Sequence, residues 1–267
     1  MCRWFESAPG HHFQILIVKR IPPKTGVEFQ RGSVTMAAMK INADFDKRVV
    51  VHTDEMDWIP SPMPGVERKP LDRIGGEVAR ATSLVRYAPD SRFSEHVHDG
   101  GEEFIVLEGW FQDHSGDFSE GAYIRNPPTT HHAPWSEPGG LIFVKLWQFD
   151  LADRTPIRAQ IANVPPVPAP GRAGVELLPL FRDGREEVRV ERFAPAAAAT
   201  LAPEGGAELF VLEGSISESG EGLRKHSWLR APIGTKLDLE AGADGATVWI
   251  KTGHLRFVQA PDAALAG

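Results

Sequence analysis

Two windows of the chain align without a gap at an offset of 105 positions: residues 94–109, SEHVHDGGEEFIVLEG, lie onto residues 199–214, ATLAPEGGAELFVLEG. The shared Gly-Gly-x-Glu-x-x-Val-Leu-Glu-Gly skeleton requires one supersecondary unit built twice, because a duplicated core repeats both its turns and its apolar faces. The chemistry is not duplicated. His96, His98 and Glu102 of the first window stand against Leu201, Pro203 and Ala207 of the second, none of which can hold a cation. One half is a candidate metal site and the other a candidate scaffold.

A length of 267 residues accommodates two packed units of roughly 100 residues each, and 42% hydrophobic with 24% charged residues supplies an ordinary core for both. From Arg48 onward, short β-rich runs alternate with Gly, Pro, Asp and Ser: residues 49–52, 81–87, 103–107 and 141–147, then 174–182, 187–193, 209–212, 228–230 and 247–251. That spacing predicts an all-β sandwich or barrel in each half. Residues 163–171, NVPPVPAPG, carry four prolines and so cannot form a central strand; they read as a stiff linker. The expected organisation is a metal-binding domain over residues 40–160, the linker at 163–171, and a second domain without metal ligands over 172–258. Residues 1–35 fit neither domain and are expected to be disordered or an upstream extension of the true start, and residues 259–267 are expected to fray.

A net charge of −7 gives no electrostatic footprint for a polyanion, since nucleic-acid and anionic-membrane binding need clustered Lys and Arg, and neither is an expected partner. Cys2 is the single cysteine, so neither an intrachain disulfide nor a Cys-based zinc cluster can form. The longest early apolar run, residues 15–18, is far too short for a signal or membrane segment. A cytoplasmic protein is the expectation.

His96 and His98 are two apart, so in a strand both imidazoles share a face. Asp99-Gly100-Gly101 turns the chain and Glu102 opens the next strand, returning a carboxylate toward that face. A fourth donor can come from His131 or His132 in RNPPTTHH, residues 125–132. Glu208 persists opposite Glu103, which assigns Glu103 a structural hydrogen bond and leaves Glu102 the chemistry.

The pattern His96-x-His98-x3-Glu102-x6-Gly109, followed by Gly121-x5-Pro127-x-Thr129-x2-His132, resembles the two cupin motifs. The chain departs from them at Asp90 and Thr129, where the motifs carry turn glycines, and at Ser136, where they carry Asn. The resemblance implies two tandem cupin barrels of the double-stranded β-helix, or jelly-roll, type. It also implies the ligand set His96, His98, Glu102 and His132, with His131 facing away. Over about residues 40–150 the chain resembles the cupin domain of ChrR-type anti-sigma factors, through Gly100–Gly109, YIRNPP at 123–128, HAPW at 132–135 and WIPSP at 58–62. Those regulators grip a sigma factor through a zinc-binding helical domain that nothing here matches, so a sigma-factor partner is not expected.

Three imidazoles and one carboxylate suit Zn or Fe(II) first, with Mn or Ni possible. Each histidine ligand must be neutral, so affinity is expected to fall as pH drops through about 6. Phe104, Val106, Phe111, Tyr123, Trp135 and Phe143 or Trp147 are expected to line the pocket, and Arg86, Tyr87 and Lys145 are candidates for holding an anionic group. The expected partner is a small molecule, with a homodimer possible. The functional expectation is a small-molecule- or oxidant-responsive metalloprotein; the alternative is a non-haem Fe(II) dioxygenase cleaving a small diketone or phenolic ketone. No catalytic residue is assigned from the sequence.

Overall fold

Runs containing β-branched and aromatic residues, such as Ala79–Tyr87 and Gly140–Leu146, pair side by side in the computed structural model, Gly140 opposite Tyr87 through Leu146 opposite Ala81. It describes residues 39–76 and 78–261. The expectation for residues 1–35 and most of that for the tail lie outside the described residues. The described elements are strands, turns and three short 3₁₀ segments, as the all-β reading requires. No helix among the described residues is long and apolar enough to cross a membrane.

In the first half, Val66–Gly75, Ala79–Tyr87, Gly140–Leu146, Glu102–Asp113 and Ala122–Asn126 neighbour one another in that order, all antiparallel. The second half repeats the plan with Val175–Arg182, Glu187–Phe193, Leu237–Thr252, Ala207–Glu218 and Ser227–Ala231. In the proline-rich segment the two-residue strand Val167–Pro168 pairs only at the outer edge of Val175–Arg182, where a residue lacking an N–H does no damage.

The two halves exchange strands. Val49–His52, which precedes the first repeat, pairs with Ser227–Ala231 in the second sheet. Ile157–Gln160, which precedes the second repeat, pairs with Ala122–Asn126 in the first. Both strands lie within the 40–160 span expected for the first domain, but only Ile157–Gln160 joins the first sheet; Val49–His52 forms an edge of the second.

Three apolar layers result. One fills the first barrel around Phe104, Val106, Phe111 and Val144, and one fills the second around Leu201, Ala207, Leu237 and Ile250. The middle layer lies between the barrels, where the ring of Phe143 stacks on Phe210 at 4.2 Å and meets Trp249 edge-on at 5.2 Å. Into this layer each barrel sends one buried carboxylate, met by a lysine of the other. Lys251 Nζ donates to Glu103 Oε1 at 2.5 Å and Lys145 Nζ donates to Glu208 Oε2 at 2.5 Å. Tyr123 also donates to Glu103 at 2.9 Å, and Trp228 donates to Glu208 at 3.1 Å. Burial alone would raise both carboxyl groups, but the facing lysines hold both below the usual carboxylate range. The structural role expected for Glu103 is thus an ion pair between barrels.

Candidate metal centre

The site begins with a ribbon too short to fold alone. His96–Val97 pairs with His131–His132 in a two-stranded sheet separate from the larger ones, with His132 opposite His96 and His131 opposite Val97. Cross-strand partners share a face, so His96 and His132 point one way while Val97 and His131 point the other. His131 is exposed, bonds Glu95 at 2.8 Å and reaches the rim of the cavity that His98 and His132 line. His98 follows His96 by two and returns to its face.

Hydrogen bonds hold the ribbon in place against local backbone strain. Thr129 N–H donates to His98 O at 3.0 Å, and His98 N–H donates to Thr130 O at 2.8 Å. Thr129 sits at φ 75° and Asp90 at φ 60°, two of the positions where the motif carries glycine. A β-branched residue in the left-handed region costs on the order of 1–3 kcal/mol, which the surrounding turn must offset.

His96, His98 and His132 bring one ring nitrogen each to within 4.8 Å of one another. Glu102, first residue of Glu102–Asp113, places Oε2 3.3 Å from His98 Nε2 and 3.7 Å from His132 Nε2. All three Nδ1 atoms are engaged on the far side. His96 Nδ1 lies 3.0 Å from Ser94 O, His98 Nδ1 3.1 Å from Thr130 Oγ1, and His132 Nδ1 2.8 Å from Asp113 Oδ2. Thr130 spends its own hydroxyl proton on Pro127 O at 2.7 Å, so it accepts from His98. Each ring therefore carries its proton on Nδ1 and presents a bare Nε2 lone pair. The Nε2 atoms of His98 and His132 are buried and have no hydrogen-bond partner. Buried polar atoms left in this state need a ligand, and a cation satisfies three lone pairs and a carboxylate together. The residues fit a divalent metal.

The charge states agree. Burial holds His98 below the ordinary imidazole value, with Glu102 only partly opposing, so the ring is neutral. Burial would raise Glu102, but His98, His132 and the amide of Asn126, donating at 2.9 Å, bring it below the usual carboxylate value. Asp113, partly buried, is lowered to about 2 by hydrogen bonds from His132 and Ser115 that outweigh burial.

A cavity of about 230 Å³ opens beside His98 and His132, bounded also by Asp113, His114, Ser115, Asn126, Thr130, His131 and Arg158. The lining is polar, contrary to the expected apolar and aromatic wall. Phe104, Val106 and Phe111 belong to the core behind His132, and Tyr123 and Phe143 to the layer between barrels. Trp135 and Trp147 do not reach the cavity either. The candidate anion holders also lie elsewhere. Arg86 pairs with Glu67 at the surface, Tyr87 is buried in the core, and Lys145 is committed to Glu208. Arg158 and Asn126 take the places that sequence reasoning left empty. In the second barrel, Leu201, Ala207 and Leu237 occupy the donor positions and form part of its apolar core.

Residues 46–150 match the family model described as the ChrR cupin-like domain. No curated protein matches the chain. Among solved structures, a candidate dioxygenase of Nostoc punctiforme PCC 73102 superposes with a TM-score of 0.66 at 14% identity, covering 80% of this chain and 85% of that one. Protein Ylba from E. coli superposes with a TM-score of 0.62 at 13% identity, covering 85% and 97%. Oxalate decarboxylase of Bacillus subtilis superposes with a TM-score of 0.56 at 9% identity, covering 76% of each chain. At these identities the likeness is one of fold.

Proposed function

We propose that this chain, which matches the ChrR cupin-like domain over residues 46–150, binds one divalent metal through His96, His98, Glu102 and His132 and works as a small-molecule- or oxidant-responsive metalloprotein. The observation that carries this reading is the convergence of unpartnered imidazole nitrogens on the Glu102 carboxylate. When bound, Zn or Fe(II) would supply a Lewis-acidic centre open to a small molecule from the cavity side. Thr130, Asp113 and the Ser94 carbonyl would orient the three rings, and Asn126 would steady the carboxylate. The response would arise because three of the four donors sit on or next to a ribbon of two-residue strands, whereas Glu102 starts a long strand of the main sheet. A change in coordination would shift the ribbon against the sheet and move the exposed side chains of Val97 and His131.

The second reading is an Fe(II) dioxygenase acting on a small diketone or phenolic ketone. The open cavity beside the histidines favours it, and the polar lining disfavours so apolar a substrate. Oxygen uptake by protein reconstituted with Fe(II) without oxygen, then exposed to air with 2,4-pentanedione or a phenolic ketone, separates the two. The first reading expects uptake no faster than free Fe(II) gives. Sustained turnover that disappears in Glu102→Ala would replace it with the second.

A further inference from the structure

Superposing the two repeats by their strand registers isolates what the metal-bearing barrel has and its partner lacks. Arg158 stands opposite Ile124 on the exchanged strand Ile157–Gln160, and Val50 stands opposite Leu229 on the exchanged strand Val49–His52. Ile124 and Leu229 are equivalents at the 105-residue offset, so Arg158 and Val50 occupy the same place. Asn126 likewise corresponds to Ala231, and Glu102 to Ala207.

These three positions are one connected unit in the first barrel. Arg158 Nη2 donates to Asn126 Oδ1 at 2.6 Å, and Asn126 Nδ2 donates to Glu102 Oε2 at 2.9 Å. In the second barrel all three turn apolar together, and Val50 packs against that barrel's core. An arginine needed only to close the sheet edge would have no reason to vanish with the metal donors.

The guanidinium is also incompletely used. Of its five N–H bonds, Nη1 donates to the carbonyls of Arg125 and Ile157, at 3.1 and 2.8 Å, and Nη2 spends one on Asn126. Two donors remain. Among the described residues no carboxylate lies within ion-pairing distance of Arg158, although it borders the cavity. A fork-shaped cation beside a cationic metal site selects an anion with paired oxygens. The cavity, at about 230 Å³, is below the usual range of about 300–1,000 Å³ for drug-sized ligands.

We propose that Arg158 is the anion-binding residue of this site and that the ligand is a small carboxylate. The assignment rests on the metal-site reading above but adds that the site is completed by a strand lying beyond residues 46–150, the extent of the family match. The second repeat then does more than buttress the first: its leading strand brings the selecting charge.

The test is calorimetric titration of the zinc-loaded full-length chain with pyruvate and with its neutral isostere pyruvamide, on the wild type, Arg158→Met and Arg158→Lys, with zinc content measured on each. The wild type is expected to prefer pyruvate by about tenfold or more, the range of a charge-assisted pair. Arg158→Met is expected to keep its zinc and lose most of that preference, the metal's own charge retaining the rest, and Arg158→Lys to keep a larger share of it. A wild type indifferent to the charge, or an Arg158→Met protein with full zinc and an undiminished preference, overturns the proposal. Should Arg158→Met fail to fold or lose zinc, Arg158→Lys decides, and an undiminished preference there overturns it as well. A wild type that takes up no zinc refutes the metal reading instead, and the same titration on the metal-free protein still decides Arg158.

Discussion

Alanine at His98 or Glu102 is expected to strip the protein of its metal, lowering affinity by more than about 100-fold, because loss of an outer hydrogen-bond partner alone costs about 10–100-fold. Each substitution removes one of four donors and disturbs a second. His98→Ala opens space beside Glu102 Oε2, 3.3 Å away, and Glu102→Ala takes the counter-charge from His98 and His132 together. Asp113→Asn is expected to fall in the outer-partner range, since it weakens the grip on His132 Nδ1 without touching Nε2. His131→Ala should leave affinity unchanged, because that ring is exposed and bonds Glu95. Competition against a coloured chelator, with metal content after dialysis, measures all four. An Asp113→Asn variant as damaged as Glu102→Ala, or any loss in His131→Ala, would contradict the assignment of roles.

The second large effect is on stability. Lys251→Met leaves Glu103 buried between the barrels with only the Tyr123 hydroxyl as partner, and Lys145→Met leaves Glu208 with Trp228 and His254. Removing one member of a buried pair strands the other as a desolvated charge, so each single substitution is expected to cost about 3–5 kcal/mol. For a chain of this size that lowers Tm by roughly ten degrees. Replacing both members, as in Glu103→Leu with Lys251→Met, is expected to recover part of the loss: apolar side chains of similar volume suit the surrounding layer, while buried Glu186, 3.0 Å from Lys251, is left with Arg125 alone. Thermal denaturation of the singles and the double checks this. A double variant no more stable than the Lys251→Met single would show that the pair does more than neutralise itself.

Much of this architecture is legible in the sequence because duplication writes it twice. The 105-residue offset aligns Glu103 with Glu208 and sets Leu201, Pro203 and Ala207 against the donors, so a repeated structural carboxylate and the asymmetry can be read without coordinates, while the lysines that meet those carboxylates from the other barrel cannot. His96 and His98 follow from strand alternation, whereas the choice of His132 over His131 follows only from the resemblance to the cupin motifs. The pocket is not legible. Phe104, Phe111, Tyr123 and Phe143 look like a lining, yet an aromatic on a barrel strand has three apolar layers to enter, and sequence alternation cannot say which. Asn126 against Ala231 was within reach of the same alignment. Arg158 was not: the plain offset sets it against Thr53, and only the exchanged strands, paired across barrels, show its counterpart to be Val50.

The most direct test is anomalous diffraction from crystals of protein purified without added metal, collected across the absorption edges of Zn, Fe, Mn and Ni. The account predicts one peak per chain, within bonding distance of His96, His98, Glu102 and His132, and none in the second barrel. A peak elsewhere, two peaks, or no peak even after soaking with Zn or Fe(II) would contradict it.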